Sequence, residues 1–450
     1  MAHFPEMTPP PATMTEQEAA EIIAADKAHH WHPFTQMKEW CDPDHHPLII
    51  TDGSGAWLRD HAGRQYLDGN STIWTCIHGH RHPAITNAIT NQLQSIAHVS
   101  ALGFINAPAA RLAKALVSLW PVNSLSRVFF SDDGSTAIEC GLKLALQYFQ
   151  LTGQPQRRRF ASFSLAYHGD TMGAASLGGI PAFHDRFRGF GPDSLLVHSM
   201  EDLAALPAET RHSLAAVVIE PLIQGAAGMR LWPTGMLSQL RTWCRSHGVL
   251  LIADEVMTGF GRTGRMFACQ HENVVPDILA LAKGLTGGFL PLAATMTTER
   301  IFSAFLGSAA EQKTFYYGHS YSANPLGCAA ALASLETFTT ENTLDRIQPL
   351  IAHLATELDQ LSRCHPHHIA ATRQCGLIAG IDIVRAPETP YPPALQTGAR
   401  ICTAARKYGL LTRPVRDTLV FMPPLCITTA EISSAIHALH SAIRDVCHAD

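Results

Sequence analysis

Four short polar stretches in this sequence stand just after apolar runs, and each offers a group able to do chemistry. Gly134-Ser135-Thr136 follows Val128-Phe129-Phe130, Glu220 follows Ala215 to Ile219, Asp254-Glu255 follows Val249 to Ala253, and Lys283 follows Ile278 to Ala282. A carboxylate such as Asp254, placed where a Leu-Ile-Ala run stops, is expensive unless it is paired. Its partner is either a protonated heteroaromatic nitrogen or an ordinary salt bridge or loop cap. Lys283, held between Ala282 and Gly284, is placed to have a lowered pKa and to form a Schiff base, although most lysines are solvated surface groups. Gly134 and Ser135 precede an apolar helical face of Ile138, Leu142, Ala145, Leu146 and Phe149. The free N–H groups at such a helix start suit a phosphate, and they equally suit a plain N-cap.

A phosphate cradle, a buried acid and a buried lysine, in that order along one sheet, are together what a pyridoxal phosphate enzyme requires. A competing signal is Gly259-Phe-Gly-Arg-Thr-Gly264, formally a dinucleotide G-x-G-x-x-G. The residues after it, Arg265 to Glu272, lack helical periodicity, and no acid ends a second strand about 20 residues on. The loop therefore reads as a tight turn.

These groups need elements to hold them. Thr15 and Glu18 form a capping-box pattern opening a helix to His29. Leu48 to Asp68 alternates as hairpins do, with turns expected at Asp52-Gly53 and Ala62-Gly63. Between about Ile77 and Leu335 apolar strands alternate with helices, including Arg127 to Phe130 and Arg159 to Phe163, and their continuous apolar runs suit parallel strands covered on both faces. The expectation is an α/β protein with a large, mainly parallel, doubly wound sheet over residues 76–335. A smaller α+β domain would be built from residues 1–75 and 336–450, with Arg385 to Pro393 as a Pro-rich loop.

Composition narrows the partners. In 450 residues, 33 Lys plus Arg against 38 Asp plus Glu give a net charge of −5, so no overall positive field exists to hold nucleic acid or an anionic membrane. Small molecules are the expected partners. The 11 cysteines are scattered with no C-x-x-C pair and read as reduced thiols of a cytoplasmic protein. The Pro-rich start, with Glu6 where a signal peptide needs an apolar stretch, and the absence of a membrane-span-length apolar run agree with that location. Histidine is abundant at 25, but the paired runs His45-His46, His78-Gly79-His80 and His365 to His368 lack a ligand spacing, and no metal site is expected.

The chain also resembles a known family through nearly its whole length. Asp254-Glu-Val-Met-Thr-Gly-Phe-Gly-Arg-Thr-Gly264, Pro276-Asp277 and Ala282-Lys283-Gly284 are similar to the signature of the class III aminotransferases. Trp31 to Gln36, Trp74 to His80, Tyr167 to Thr171, Gly318 to Pro325 and Thr412-Arg413-Pro414 resemble the branch that converts 8-amino-7-oxononanoate to 7,8-diaminononanoate in biotin synthesis. The resemblance implies the fold type I architecture of pyridoxal phosphate enzymes and a homodimer with the active site at the interface. It implies that Lys283 holds pyridoxal phosphate covalently and that Asp254 pairs with its ring nitrogen. Gly134 and Ser135 would bind its phosphate with His319 and Ser320 of the neighbouring subunit, and Tyr167 would stack on the ring. Glu220 would support the cofactor's polar edge or cap a loop. Gly318 would line the substrate site, and Arg413 would clamp a substrate carboxylate. Three positions depart from the branch pattern: Ser320 replaces Thr, Phe34 replaces Tyr, and Ile73 replaces the first of two tryptophans, leaving Trp74 alone. The last two belong to the amino-donor pocket, so S-adenosylmethionine is the default donor and lysine a close alternative. Rival readings are a class III enzyme acting on ornithine, 4-aminobutyrate or a diamine, a nicotinamide dehydrogenase using the Gly259 loop, and a non-catalytic binding protein.

Overall fold

A computed structural model describes residues 14–187 and 189–447. The Pro-rich start lies outside them.

The central element is a seven-stranded sheet ordered Leu125–Ser131, Ala293–Thr298, Ile278–Leu281, Leu250–Asp254, Leu214–Ile219, Arg159–Phe163, Ser194–Val197. Only Ala293–Thr298 runs against its two neighbours, and the Ile278 to Ser194 side is parallel throughout. The apolar runs are continuous because both faces are covered, yet the pleat still sorts them by parity. Even-numbered Ala216, Val218, Leu250, Ile252, Ile278 and Ala280 pack with Ile138, Leu142, Ala145 and Phe149 of the helix Gly134–Leu151. Odd-numbered Val217, Ile219, Leu251, Ala253, Leu279 and Leu281 pack on the opposite side with Leu237, Leu240 and Trp243 of the helix Met236–His247. Burying each such Leu or Ile contributes about 1.5–3 kcal/mol, and Asp254 continues the even row at the carboxyl end of its strand.

The first helix is Glu16–His29, and its capping box is formed: Thr15 Oγ1 accepts from the Glu18 N–H, and Glu18 accepts from the Thr15 N–H. The strands Ile50–Ser54, Trp57–Asp60 and Gln65–Asp68 form an antiparallel meander. Asp52 and Gly53 lie inside its first strand, so the first turn is not where the sequence suggests. It falls at Gly55-Ala56, and Gly55 takes the positive φ of 56° that the reversal needs. This sheet is completed by Leu410–Leu411, which pairs in parallel with Leu67–Asp68. A third sheet, ordered Ile369–Cys375, Ile378–Ile383, Thr418–Phe421, Pro414–Val415, packs with the helix Gln348–Cys364, which in turn packs on the helix Thr429–Cys447. No helix among the described residues is long and apolar enough to cross a membrane. All 11 cysteines are free thiols.

Candidate active site

The carboxyl ends of the central strands open into a largely apolar cavity of about 1070 Å³. Gly134, Ser135, Tyr167, Glu220, Asp254 and Lys283 line its floor, and Phe34, Ile73, Trp74 and Arg413 its wall and mouth.

The Asp254 carboxylate is buried. One oxygen accepts from His168 Nδ1 at 2.8 Å and the other from the Val256 N–H at 3.1 Å. Its charge is thereby met without filling the space above it. His168 carries no role in the sequence reading; the signal was the demand of a buried acid for a partner. The other His168 nitrogen, Nε2, is buried and has no partner among the described residues. Lys283 follows the next strand at a left-handed φ of 46°, and its Nζ lies 4.7 Å from the centre of the Trp74 ring. Burial lowers its pKa to about 8, against the pull of the nearby Asp254 and Glu220 carboxylates. Glu220 accepts from the Tyr167 N–H at 3.1 Å and the Gly225 N–H at 3.0 Å, so it caps two loops while facing the cavity. Burial pushes its carboxyl up to about 7, although the neighbouring His168 pulls the other way.

The helix Gly134–Leu151 points its N-terminus at the same space. Asp133 accepts the Thr136 N–H at 3.0 Å, which leaves the earlier N–H groups of the first turn without helical partners. A Cβ at Gly134 would lie 2.7 Å from Val256, and one at Gly169 would lie 2.1 Å from Ser135 Oγ, so both glycines are required by close packing. Tyr167 flanks the floor, its hydroxyl donating to Asp170 at 2.5 Å.

The wall is built differently. Ser71, Thr72, Ile73 and Trp74 are four consecutive residues with φ between 47° and 68°, one turn of left-handed helix without a glycine. Each such residue costs about 1–2 kcal/mol, so the turn must be held. The buried Asp68 accepts from the Asn70 N–H, the Thr72 N–H and the Thr72 hydroxyl, and pairs with His80 at 2.9 Å. Ser71 Oγ donates to Met422 O at 2.6 Å, and Trp74 Nε1 to Asn70 Oδ1 at 2.8 Å. The turn thus presents Ile73 and Trp74 to the cavity. Arg413 is exposed at the mouth.

Gly318, His319 and Ser320 do not join this chain's cavity. They lie exposed on the surface, with His319 Nε2 3.4 Å from Asp132, which lines the cavity beside Gly134. The Gly259–Gly264 loop is packed into the interior. Fully buried Arg262 donates to Cys76 O and Pro423 O, and a Cβ at Gly261 would lie 2.8 Å from Leu425, leaving no open cradle for a dinucleotide.

A buried lysine of lowered pKa, a buried carboxylate at the adjacent strand end and a helix N-terminus whose first N–H groups lack helical partners surround one cavity on a mainly parallel sheet, and the residues present fit pyridoxal phosphate. The comparisons with known proteins carry this further. The aminotransferase class-III family matches residues 41–443, and the chain belongs to that family. It is 45% identical over 97% of its length, and 83% of the relative's, to adenosylmethionine-8-amino-7-oxononanoate aminotransferase of Nitratidesulfovibrio vulgaris. The solved structure of the protein of that name from Methanocaldococcus jannaschii superimposes with a TM-score of 0.91 at 40% identity, covering 95% of this chain and 99% of that one. An amine transaminase from an uncultivated Pseudomonas species, solved in the PLP-bound internal aldimine form, does so with 0.86 at 32% identity over 93% and 99%. Pyridoxal phosphate is the cofactor.

Proposed function

We propose that this chain transfers an amino group to 8-amino-7-oxononanoate, yielding 7,8-diaminononanoate for biotin synthesis. The observation that carries the proposal is one largely apolar cavity with Lys283 and Asp254 on its floor and the guanidinium of Arg413 at its mouth. A long aliphatic keto acid with a terminal carboxylate suits such a space. When bound, pyridoxal phosphate supplies an electron sink for the carbanion.

In this reading Lys283 would hold the cofactor, and its freed Nζ would take the proton from the donor's α-carbon and deliver it to the carbon of the cofactor on the far side of the shared nitrogen. Asp254, oriented by His168 and the Val256 N–H, would accept a hydrogen bond from the protonated ring nitrogen of the bound cofactor. The N–H groups of Gly134 and Ser135 bind the phosphate at the positive helix end. Tyr167 covers the ring face, and Glu220 fixes the Tyr167 loop. Arg413 forks onto the substrate carboxylate. Gly318, His319 and Ser320, being exposed beside Asp132, are assigned to the site of a second copy, so the chain works as a homodimer in the cytoplasm. Residues 76–335 serve as the cofactor domain and both terminal parts as the smaller one, a division supported by the pairing of Leu410–Leu411 with Leu67–Asp68.

S-adenosylmethionine is the default donor because its sulfonium and adenine favour aromatic walls, and Trp74, Phe34 and Tyr167 supply them. Ile73 supports lysine as the alternative, since its slim chain needs no second ring. The test is formation of 7,8-diaminononanoate with each donor in turn. Turnover with lysine and none with S-adenosylmethionine reverses the donor, and no turnover with either moves the reading to the amines used by other class III members.

A further inference from the structure

Among the described residues, a cluster of ligating side chains lies outside the cavity, where the first helix ends. Asp26 and His30 stand one helical turn apart, and His32 follows as the chain leaves the helix. Asp26 Oδ2 is 3.1 Å from His30 Nδ1 and 2.9 Å from His32 Nε2, and the three ligand atoms all lie within 4.8 Å of one another. We propose that Asp26, His30 and His32 form a binding site for a divalent transition-metal ion.

The geometry is close to what such an ion needs. Bonds of about 2.0–2.1 Å in tetrahedral array place neighbouring ligand atoms about 3.3 Å apart, a few tenths beyond the two contacts measured. An ion would replace the protons now shared between the carboxylate and the imidazoles. Two imidazoles and one carboxylate select zinc, cobalt, nickel or copper over magnesium or calcium, which prefer oxygen. Outer partners are in place as well. Trp40 Nε1 donates to Asp26 Oδ1 at 2.8 Å and fixes the carboxylate so that His32 Nε2 lies 2.9 Å from both of its oxygens, and the Trp40 ring centre lies 4.1 Å from that of His32. The His30 side chain is 60% exposed, so water completes the coordination. The telling spacing is carboxylate to imidazole across one turn, rather than any of the paired-histidine runs. Occupancy would pin the chain two residues before Phe34, which packs edge-on to Phe183 at 5.6 Å in the cavity wall.

Cobalt(II) is the probe, added to the cofactor-loaded protein. One equivalent per chain should bind with a visible ligand-field band, and zinc should displace it. Asp26 and His32 also hold the segment together, so exposed His30 is the residue to change first. His30→Ala should weaken cobalt at least about 10-fold while leaving transamination intact, and Trp40→Phe should weaken it by about 10-fold through lost orientation of Asp26. Absence of a band at millimolar cobalt, or an unchanged band in His30→Ala, would overturn the site and leave these contacts as hydrogen bonds alone.

Discussion

The floor and the wall of one cavity are made by opposite means. Asp254 ends and Lys283 closely follows strands that are buried on both faces, so their positions follow from the pleat, with a single left-handed residue, Lys283 itself, at the turn off its strand. The wall residues Ile73 and Trp74 stand on a left-handed turn that is intrinsically unfavourable and is held by hydrogen bonds to Asp68, Asn70 and Met422 O, with His80 paired to Asp68. A rigid floor fits chemistry that both substrates share. A wall held by a few hydrogen bonds can differ between relatives without disturbing that chemistry, and it is where Ile73 and Phe34 depart from the pattern.

The largest expected effect tests the floor. Lys283→Ala should keep its fold and melting temperature while losing more than about 10⁴-fold in transamination, because in the proposed reading one nitrogen both holds the cofactor and moves the proton. Residual turnover near wild type in a repurified variant would remove Lys283 from the chemistry. A second measurement sharpens the same point. With a pKa near 8 rather than the ordinary 10.5, the neutral, nucleophilic form of Lys283 is about 300-fold more abundant at pH 7 than in an exposed lysine. Uptake of pyridoxal phosphate by the cofactor-free protein should therefore speed up about tenfold per pH unit below 8 and flatten above it. A rate still climbing through pH 9.5 would show that burial does not tune this group.

For the wall, Asp68→Ala should lower stability by about 2–4 kcal/mol, since it strands His80 and releases a strained turn. Denaturant unfolding followed by tryptophan fluorescence reads this directly; a loss under about 0.5 kcal/mol would mean the turn is held by packing alone. The smallest effect belongs to Ile73→Trp, which should shift the ratio of kcat/KM for S-adenosylmethionine over lysine by a few-fold toward the bulkier donor while kcat stays within about twofold. An unchanged ratio would remove Ile73 from donor choice.

The same contrast explains what could be read from sequence. Asp254, Glu220 and Lys283 were legible because each interrupts an apolar run, a local signal that a sheet converts into a position. Ala293–Thr298 was not read as a strand, since Ala-Ala-Thr-Met-Thr-Thr carries little apolar contrast and gains its place only between two antiparallel partners. The pairing of His168 with Asp254 spans 86 positions and that of Ser71 with Met422 spans 351, and no local pattern encodes either. The left-handed turn was invisible for a further reason: Ser-Thr-Ile-Trp has no glycine to announce it, and Thr and Ile are among the residues least suited to it.

The parallel pairing of Leu410–Leu411 with Leu67–Asp68 has a consequence for how the chain is made. The inner edge strand of the first sheet leaves the ribosome about 340 residues before its partner exists. At about 5–20 residues per second, the growing chain carries an open strand edge for about 20–70 s, with the Leu67 and Gly69 N–H groups waiting for Gly409 O and Leu411 O. The central sheet can assemble during that interval, but the left-handed turn cannot lock until Met422 has emerged. The wall of the cavity is therefore completed late, with only the segment through the helix Thr429–Cys447 still to follow.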